Sequence, residues 1–474
     1  MPDQFDLLAI GGGTAGLVSA AGASYLGARA ALIERDRLGG DCLWTGCVPS
    51  KALIASAHAA QARRDSGLLG LHGKSRPVEF SAVMSSMRAA REVVSHHDDP
   101  ARFRAMGIDV AFGDAEFVAA DTVRVGDRTL RAKRIVIATG SRPGIPPIPG
   151  LAEAGFLTHL TVFDLEDAPS SVALIGAGPI GIEFAQIFHR LGVPVVVFEV
   201  APQILIKEDP AAASVVRAQL EAEGVTIHTG VSILRVEPGA GDKTVVWRLK
   251  DGPEQRSVVG QIFVAAGRLP NVDGLGLERI GVATNKAGVV VDARLRTTIP
   301  GIWAAGDVSG GMQFTHMADY QAKLVVRNAL TPFRAKADYR VVPWVTYCDP
   351  EIARVGQTEH DARAAGVDAR VWQYEFADLD RAITDRRRDG FVKLVATPSG
   401  TILGATIVGA GAGNLIAPVI LAMQRRLKLA ALASFIYPYP SMSEGILRAA
   451  NLARREQLDS LGGRLLKRIV RWGL

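Results

Sequence analysis

The sequence predicts an α/β protein: two copies of one strand–helix–strand unit, then an α+β domain. The first observation is a repeat. Phe5–Ile10 is a short apolar run followed by Gly11-Gly12-Gly13-Thr14-Ala15-Gly16, and Ser171–Ile175 is another followed by Gly176-Ala177-Gly178-Pro179-Ile180-Gly181. Each copy continues into a small-residue helix and a second strand closing on an acid, Glu34 or Glu199, 18 residues after the last glycine. The second observation is composition: 50 glycines and few aromatics in 474 residues suit many tight strand-to-helix turns. The third is a change of pattern from about Val341, where strands precede helices.

Each repeat is the dinucleotide-binding βαβ fingerprint, so both units read as Rossmann-like domains. Gly11 and Gly176 allow the tight turn. Gly13 and Gly178 let the backbone approach a pyrophosphate, which then lies on the positive end of the helix. Gly16 and Gly181 permit close helix–strand packing. One glycine-rich turn says little alone; two copies with strand, helix and acid in register are specific.

Composition bounds the rest. A chain of this length exceeds one ordinary core. Hydrophobic content of 48% and charged content of 22% are those of a folded soluble protein. The net charge of +6 is small for the length; it fits anionic ligands and gives no case for nucleic acid. The N-terminal apolar run lacks a basic flank and does not read as a signal peptide. No apolar stretch approaches the ~18 residues of a membrane span. The most apolar late segment, 417–436, is broken by Arg425, Arg426 and Lys428.

Three cysteines make no structural disulfide framework, which fits a reducing cytoplasm. Two of them, Cys42 and Cys47, lie close together in Gly39-Gly40-Asp41-Cys42-Leu43-Trp44-Thr45-Gly46-Cys47-Val48-Pro49-Ser50-Lys51. That spacing reads as a redox pair. Half a zinc site is the rival reading, but further ligands at suitable spacing are missing and His58 is loosely placed, so no metal is expected. Pro49 belongs in a first helical turn, which sets Cys47 beside a helix start. Cys348 reads as a buried strand residue.

Two nucleotide sites and one cysteine pair make a relay. The chain resembles the class I pyridine nucleotide-disulfide oxidoreductases, the family of lipoamide dehydrogenase, glutathione reductase and mercuric reductase. The resemblance rests on the blocks above, on Ile135–Gly140, Val264–Asn271 and Ile302–Asp307, and runs through nearly the whole chain. It implies FAD in the first site, held by Gly11, Gly13, Gly16, Glu34, Gly40, Lys51, Thr139, Gly140 and Asp307. It implies NAD in the second, held by Gly176, Gly178, Gly181, Glu199 and Gly267. Glu199 should read a ribose hydroxyl and repel a 2′-phosphate, and no Arg lies in 200–206, so NADH is expected over NADPH; Lys207 keeps the alternative open.

The implied division is 1–150 for the first part of the FAD domain, 151–270 for the NAD domain, 271–340 for the second part of the FAD domain, and 341–474 for an α+β dimerisation domain. The resemblance implies that hydride passes from nicotinamide to flavin and that the reduced flavin opens the Cys42–Cys47 bond at Cys47. It implies that Cys42 is the outer thiol and that Lys51 and Glu183 form an ion pair beside the flavin. The resemblance further implies a homodimer whose active site is shared between subunits, and a small-molecule acceptor.

The departures concern that acceptor. Disulfide-reducing relatives carry a His-Pro…Glu motif that enters the partner subunit's site. Here Glu444 matches, but Tyr439 stands in the histidine position and position 437 is also tyrosine. Tyrosine ionises near ~10 and histidine near ~6.5, so Tyr439 is a poor base at neutral pH. This argues against efficient turnover of dihydrolipoamide. The tyrosine is similar to mercuric reductase, yet residues 464–474 lack that enzyme's second cysteine pair. The alternatives are a lipoamide dehydrogenase of a multienzyme complex, or a diaphorase reducing quinones. Trp44 is expected to shape access to the flavin, His316 to pack, and Arg381 with Arg386–Arg388 to lie in a solvated loop. Arg464–Trp472 reads as a basic amphipathic helix, packed on a surface or subunit in preference to anionic membrane.

Overall fold

The computed structural model describes residues 3–73, 77–458 and 461–471. Its first sheet has five parallel strands in the order Ile302–Ala304, Ile135–Ile137, Leu7–Ile10, Ala30–Glu34, Asp109–Phe112. Leu7–Ile10 and Ile135–Ile137 are buried at every position, as the continuous apolar runs of a parallel sheet covered on both faces must be. The chain leaves this sheet after Ile137 and returns to it at Ile302. The two crossings meet where Ser141–Pro143 pairs antiparallel with Arg268–Pro270.

Between the crossings lies a second parallel sheet, ordered Thr226–Thr229, Val195–Glu199, Val172–Ile175, Gln261–Val264. It carries a three-stranded antiparallel meander over Val231–Pro238, Lys243–Leu249 and Gln255–Val259. The third sheet is antiparallel, ordered Pro343–Thr346, Glu351–Gly356, Ile402–Gly409, Phe391–Ala396, Arg370–Glu375. Helices 417–424 and 444–457 pack on it around Ile407, Val419, Ile446 and Ala449.

One core joins the helix Cys47–Asp65 to the second and third sheets. Leu53, Ile54 and Ala57 of the helix Cys47–Asp65 pack with Phe184 and Phe188 of the helix Pro179–Arg190, and with Cys348, Ile352 and Val408 from the third sheet's side. A buried charge cluster reinforces the joint. Arg190, 1% exposed, pairs with Glu223 at 2.6 Å and Asp349 at 3.0 Å. Lys393 pairs with Asp209 at 2.7 Å. Removing one partner of such a pair strands a buried charge, so these contacts hold the domains in one relative position.

The helix Phe80–Ser95 adds Phe80, Met84 and Met87 to the same core. Two local expectations need correction. Cys348 is buried, but in the bend after the strand Pro343–Thr346. The basic run is exposed as expected, but Arg381 lies in the short helix Asp380–Thr384, where it binds Asp385, and Arg387 reaches Asp349 at 3.0 Å.

Candidate active site

The two glycine turns are built alike. Gly11 and Gly176 have φ of +111° and +102°, which glycine alone adopts readily. A Cβ on Gly16 would lie 1.7 Å from the Gly11 carbonyl oxygen, and one on Gly181 would lie 2.0 Å from that of Gly176. At Gly178 a Cβ would meet nothing within 4 Å, and at Gly13 only Gly40 Cα at 3.9 Å. These open positions are the N-caps of Thr14–Tyr25 and Pro179–Arg190, and neither helix start has a side-chain cap or an acid in its first turn. Bare amide ends facing open space fit a phosphate. The terminal acids match as well. Glu34 accepts from Gly12 N at 2.6 Å and Asp36 N at 2.9 Å; Glu199 accepts from Ala177 N at 2.6 Å and Ala201 N at 2.8 Å.

Both turns open on one cleft of about 2170 Å³, and Cys42 and Cys47 line it. Cys42 sits in the short helix Gly40–Trp44, and Cys47 is the first residue of Cys47–Asp65. Both are free thiols, as is Cys348. The Cys47 sulfur lies 3.4 Å from the Thr315 hydroxyl, itself on the first residue of the helix Thr315–Leu330. A hydrogen bond from Cys42 draws the Cys47 thiol down to about 6; Thr315 and the Lys51 charge help, against burial and the Glu183 charge. The same bond, with burial, pushes Cys42 far up. One thiolate is therefore held at Cys47 and one thiol at Cys42.

Lys51, one turn into the Cys47 helix, bonds Glu183 at 2.7 Å and lies 4.4 Å from the centre of the Tyr347 ring. Glu183 also accepts from Tyr347 N at 2.9 Å. The pair thus bridges the first nucleotide unit, the second and the third sheet.

A second polar cluster flanks Cys42. Arg268 bonds the Asp41 carboxylate, donates to Ser141 Oγ at 2.7 Å and stands 3.5 Å from Asp307. Burial raises the Asp41 carboxyl, but the His159 hydrogen bond and the Arg268 charge hold it at about 2. Asp307 accepts from Ser141 Oγ at 2.6 Å. Thr139 and Asn271 exchange hydrogen bonds at 2.7 and 2.9 Å, fixing the turn at Gly140 where the crossings meet. Gly267 lies beside this crossing with φ of +135°, and Gly40 approaches Gly13.

Sequence reasoning missed Thr315, Arg268, His159, Asp41 and Tyr347 as site residues. Asp41 and Arg268 sit inside recognised blocks; Thr315 had no local signal beyond its neighbour His316. His316 stacks on Phe314 at 5.2 Å and bonds the Pro343 carbonyl at 2.8 Å. Trp44 borders the cleft but is pinned: its indole donates to Leu38 O at 2.7 Å, and Arg37 lies over its ring at 4.2 Å.

Tyr439 and Glu444 are not brought to these cysteines within one chain. Tyr439 is 69% exposed and donates to Asp380 at 2.8 Å. Glu444 is buried at the start of its helix, paired with Arg448 at 2.5 Å. Tyr437 is half-buried, its hydroxyl has no partner among the described residues, and burial pushes it up to about 12. Among the described residues, no group of three or more His, Cys, Asp or Glu is placed to hold a metal ion.

Two nucleotide cradles and a dithiol on one cleft define a nucleotide-dependent dithiol oxidoreductase. The chain belongs to the pyridine nucleotide-disulphide oxidoreductase family, which it matches over residues 5–322, and carries that family's dimerisation domain over residues 342–450. It is 34% identical over 450 residues to a mercuric reductase of Lysinibacillus sphaericus, covering 94% of this chain and 82% of that protein. It is 35% identical over 477 residues to a dihydrolipoyl dehydrogenase of Rhizobium etli, covering 95% and 98%. Among solved structures it resembles the HOCl-induced flavoprotein disulfide reductase RclA from Escherichia coli, with TM-score 0.85 and 29% identity over 94% of this chain and 99% of that one. It also resembles LpdA from Mycobacterium tuberculosis, with TM-score 0.86 and 28% identity over the same shares. The chain is therefore an FAD- and NAD(P)H-dependent enzyme that passes electrons from the nucleotide through flavin to a disulfide.

Proposed function

We propose that this enzyme is a homodimeric NADH-dependent reductase in which Cys47 receives the electron pair and Cys42 delivers it to a small disulfide or metal–thiolate acceptor. One observation carries the reading: both nucleotide turns and both sulfurs open on a single cleft. Gly11, Gly13, Gly16, Glu34, Thr139, Gly140 and Asp307 would hold FAD, whose bound ring takes hydride from nicotinamide and passes electrons to sulfur. Gly176, Gly178, Gly181, Glu199 and Gly267 would hold NADH. The Glu199 carboxylate, with no arginine between residues 200 and 206, disfavours the extra phosphate of NADPH.

Two electrons and one proton open the Cys42–Cys47 bond, leaving a thiolate at Cys47 and a thiol at Cys42. Two helix starts, the Thr315 hydroxyl and Lys51 hold the negative charge at Cys47. Cys42 then attacks a disulfide acceptor, its proton passing to the sulfur that leaves, and the Cys47 thiolate closes the Cys42–Cys47 bond to release the second thiolate. Tyr439 and Glu444 lie outside this cleft in their own chain, which suits service in the partner's site. In that role Tyr439 donates a hydrogen bond where disulfide-reducing relatives use a base. We assign the 1–150, 151–270, 271–340 and 341–474 division to FAD, NAD, FAD and dimerisation roles, and a cytoplasmic location because three cysteines make no structural disulfide framework.

Anaerobic titration of the holoenzyme with NADH tests the relay. A long-wavelength thiolate–flavin band should appear in the parent and vanish in Cys47→Ser. Its absence from the parent would remove the disulfide from the path. Comparing kcat/KM for NADH and NADPH tests the nucleotide choice.

A further inference from the structure

The family match ends at residue 450, and among the described side chains Ala453 is the last that any hydrophobic core takes. Beyond them stands one more helix, Leu461–Arg471. At about 100° per residue, Leu461, Leu465, Leu466, Ile469 and Val470 fall on one half of its circumference. Arg464, Lys467, Arg468 and Arg471 fall on the other half, and no acid occurs in the helix. All four cations are exposed, and so are Ile469 at 37% and Val470 at 67%. No helix among the described residues is long and apolar enough to cross a membrane, so this one has the pattern of a helix lying on a surface.

We infer that Leu461–Arg471 docks the enzyme on an anionic lipid surface, apolar half inserted and basic half against the headgroups. Charge decides the occupant. The basic half, with no acid in the helix, is complementary to anionic headgroups, and the apolar half to the acyl layer beneath them. An anionic bilayer supplies the opposite charge and an apolar layer together. The inference is independent of the acceptor and of the nucleotide choice.

Sedimentation of the full-length holoenzyme with vesicles tests it. The protein should pellet with phosphatidylcholine–phosphatidylglycerol vesicles and stay free of phosphatidylcholine alone. Binding should weaken as salt rises. Arg464→Gln with Arg468→Gln should weaken it about thirtyfold, two surface cations' worth. Removing residues 461–474 should abolish it while the dimer and NADH-dependent flavin reduction persist. The inference is overturned if the parent binds neither vesicle or both equally. It is overturned equally if the truncated protein dissociates into monomers, because the helix then covers a second copy.

Discussion

The Cys47 sulfur lies 3.4 Å from the Thr315 hydroxyl, and each residue opens its own helix. Two helix starts and one hydroxyl therefore converge on one sulfur, 268 residues apart in sequence. A thiolate there gains from both dipoles, which neither helix supplies alone.

Thr315→Val keeps the shape and removes the donor. Alkylation of the reduced parent by iodoacetamide should rise with pH through about 6 and level off above it. In Thr315→Val the rise should move up by about one pH unit, the worth of a hydrogen bond to a charge. Thr315→Ser should restore the parent profile. A profile unmoved by Thr315→Val would show that the hydroxyl does not hold the thiolate.

The cysteines should separate by role. Cys47→Ser should abolish the long-wavelength band. Cys42→Ser should retain it, since serine still donates to Cys47, yet lose turnover with disulfide acceptors by more than about 10²-fold. Stopped-flow reduction by NADH beside steady-state assays distinguishes the two.

Glycine positions should differ in kind. Gly16→Ala drives a Cβ into the Gly11 carbonyl, so the protein should purify with little flavin, read from its visible absorbance. Gly178→Ala points into open space and should keep its flavin. Its KM for NADH should rise about tenfold, equal to about 1.4 kcal/mol.

Lys51→Met leaves the Glu183 carboxylate, 7% exposed, with the Tyr347 amide as its remaining donor among the described residues. The change should cost roughly 1–3 kcal/mol, seen as a lower urea midpoint. It should also raise the pH at which Cys47 becomes reactive, because the Lys51 charge holds that thiol down. Lys51 is itself 35% exposed, which places the cost toward the low end.

Tyr439→His should restore a group that titrates near neutrality. Its hydroxyl donates to Asp380, which pushes it further from acting as a base. Dihydrolipoamide oxidation should increase about hundredfold in the variant. A parent already as fast as dihydrolipoyl dehydrogenases would show that Tyr439 is no handicap.

Much of this site is legible in the sequence. The glycine turns, the closing acids and the cysteine pair are local patterns, set by backbone sterics over some twenty residues. Glu34 reads as an FAD-binding acid and Glu199 as a ribose-binding one; the structure adds that each also ties down its own glycine turn. The burial of Cys348 was readable, but its bend was not, because apolar neighbours do not separate a strand end from the turn after it.

The sequence alone determined two nucleotide-binding units, a redox cysteine pair and membership of a family. Spacing along the chain suffices for these, since each is made by residues near one another. The tertiary structure alone decided which charges meet at the sulfurs. Arg268 reaches Asp41 across 227 residues and Thr315 reaches Cys47 across 268, through sheets whose strand order interleaves distant segments. Such contacts depend on how buried faces stack, and no local pattern encodes that.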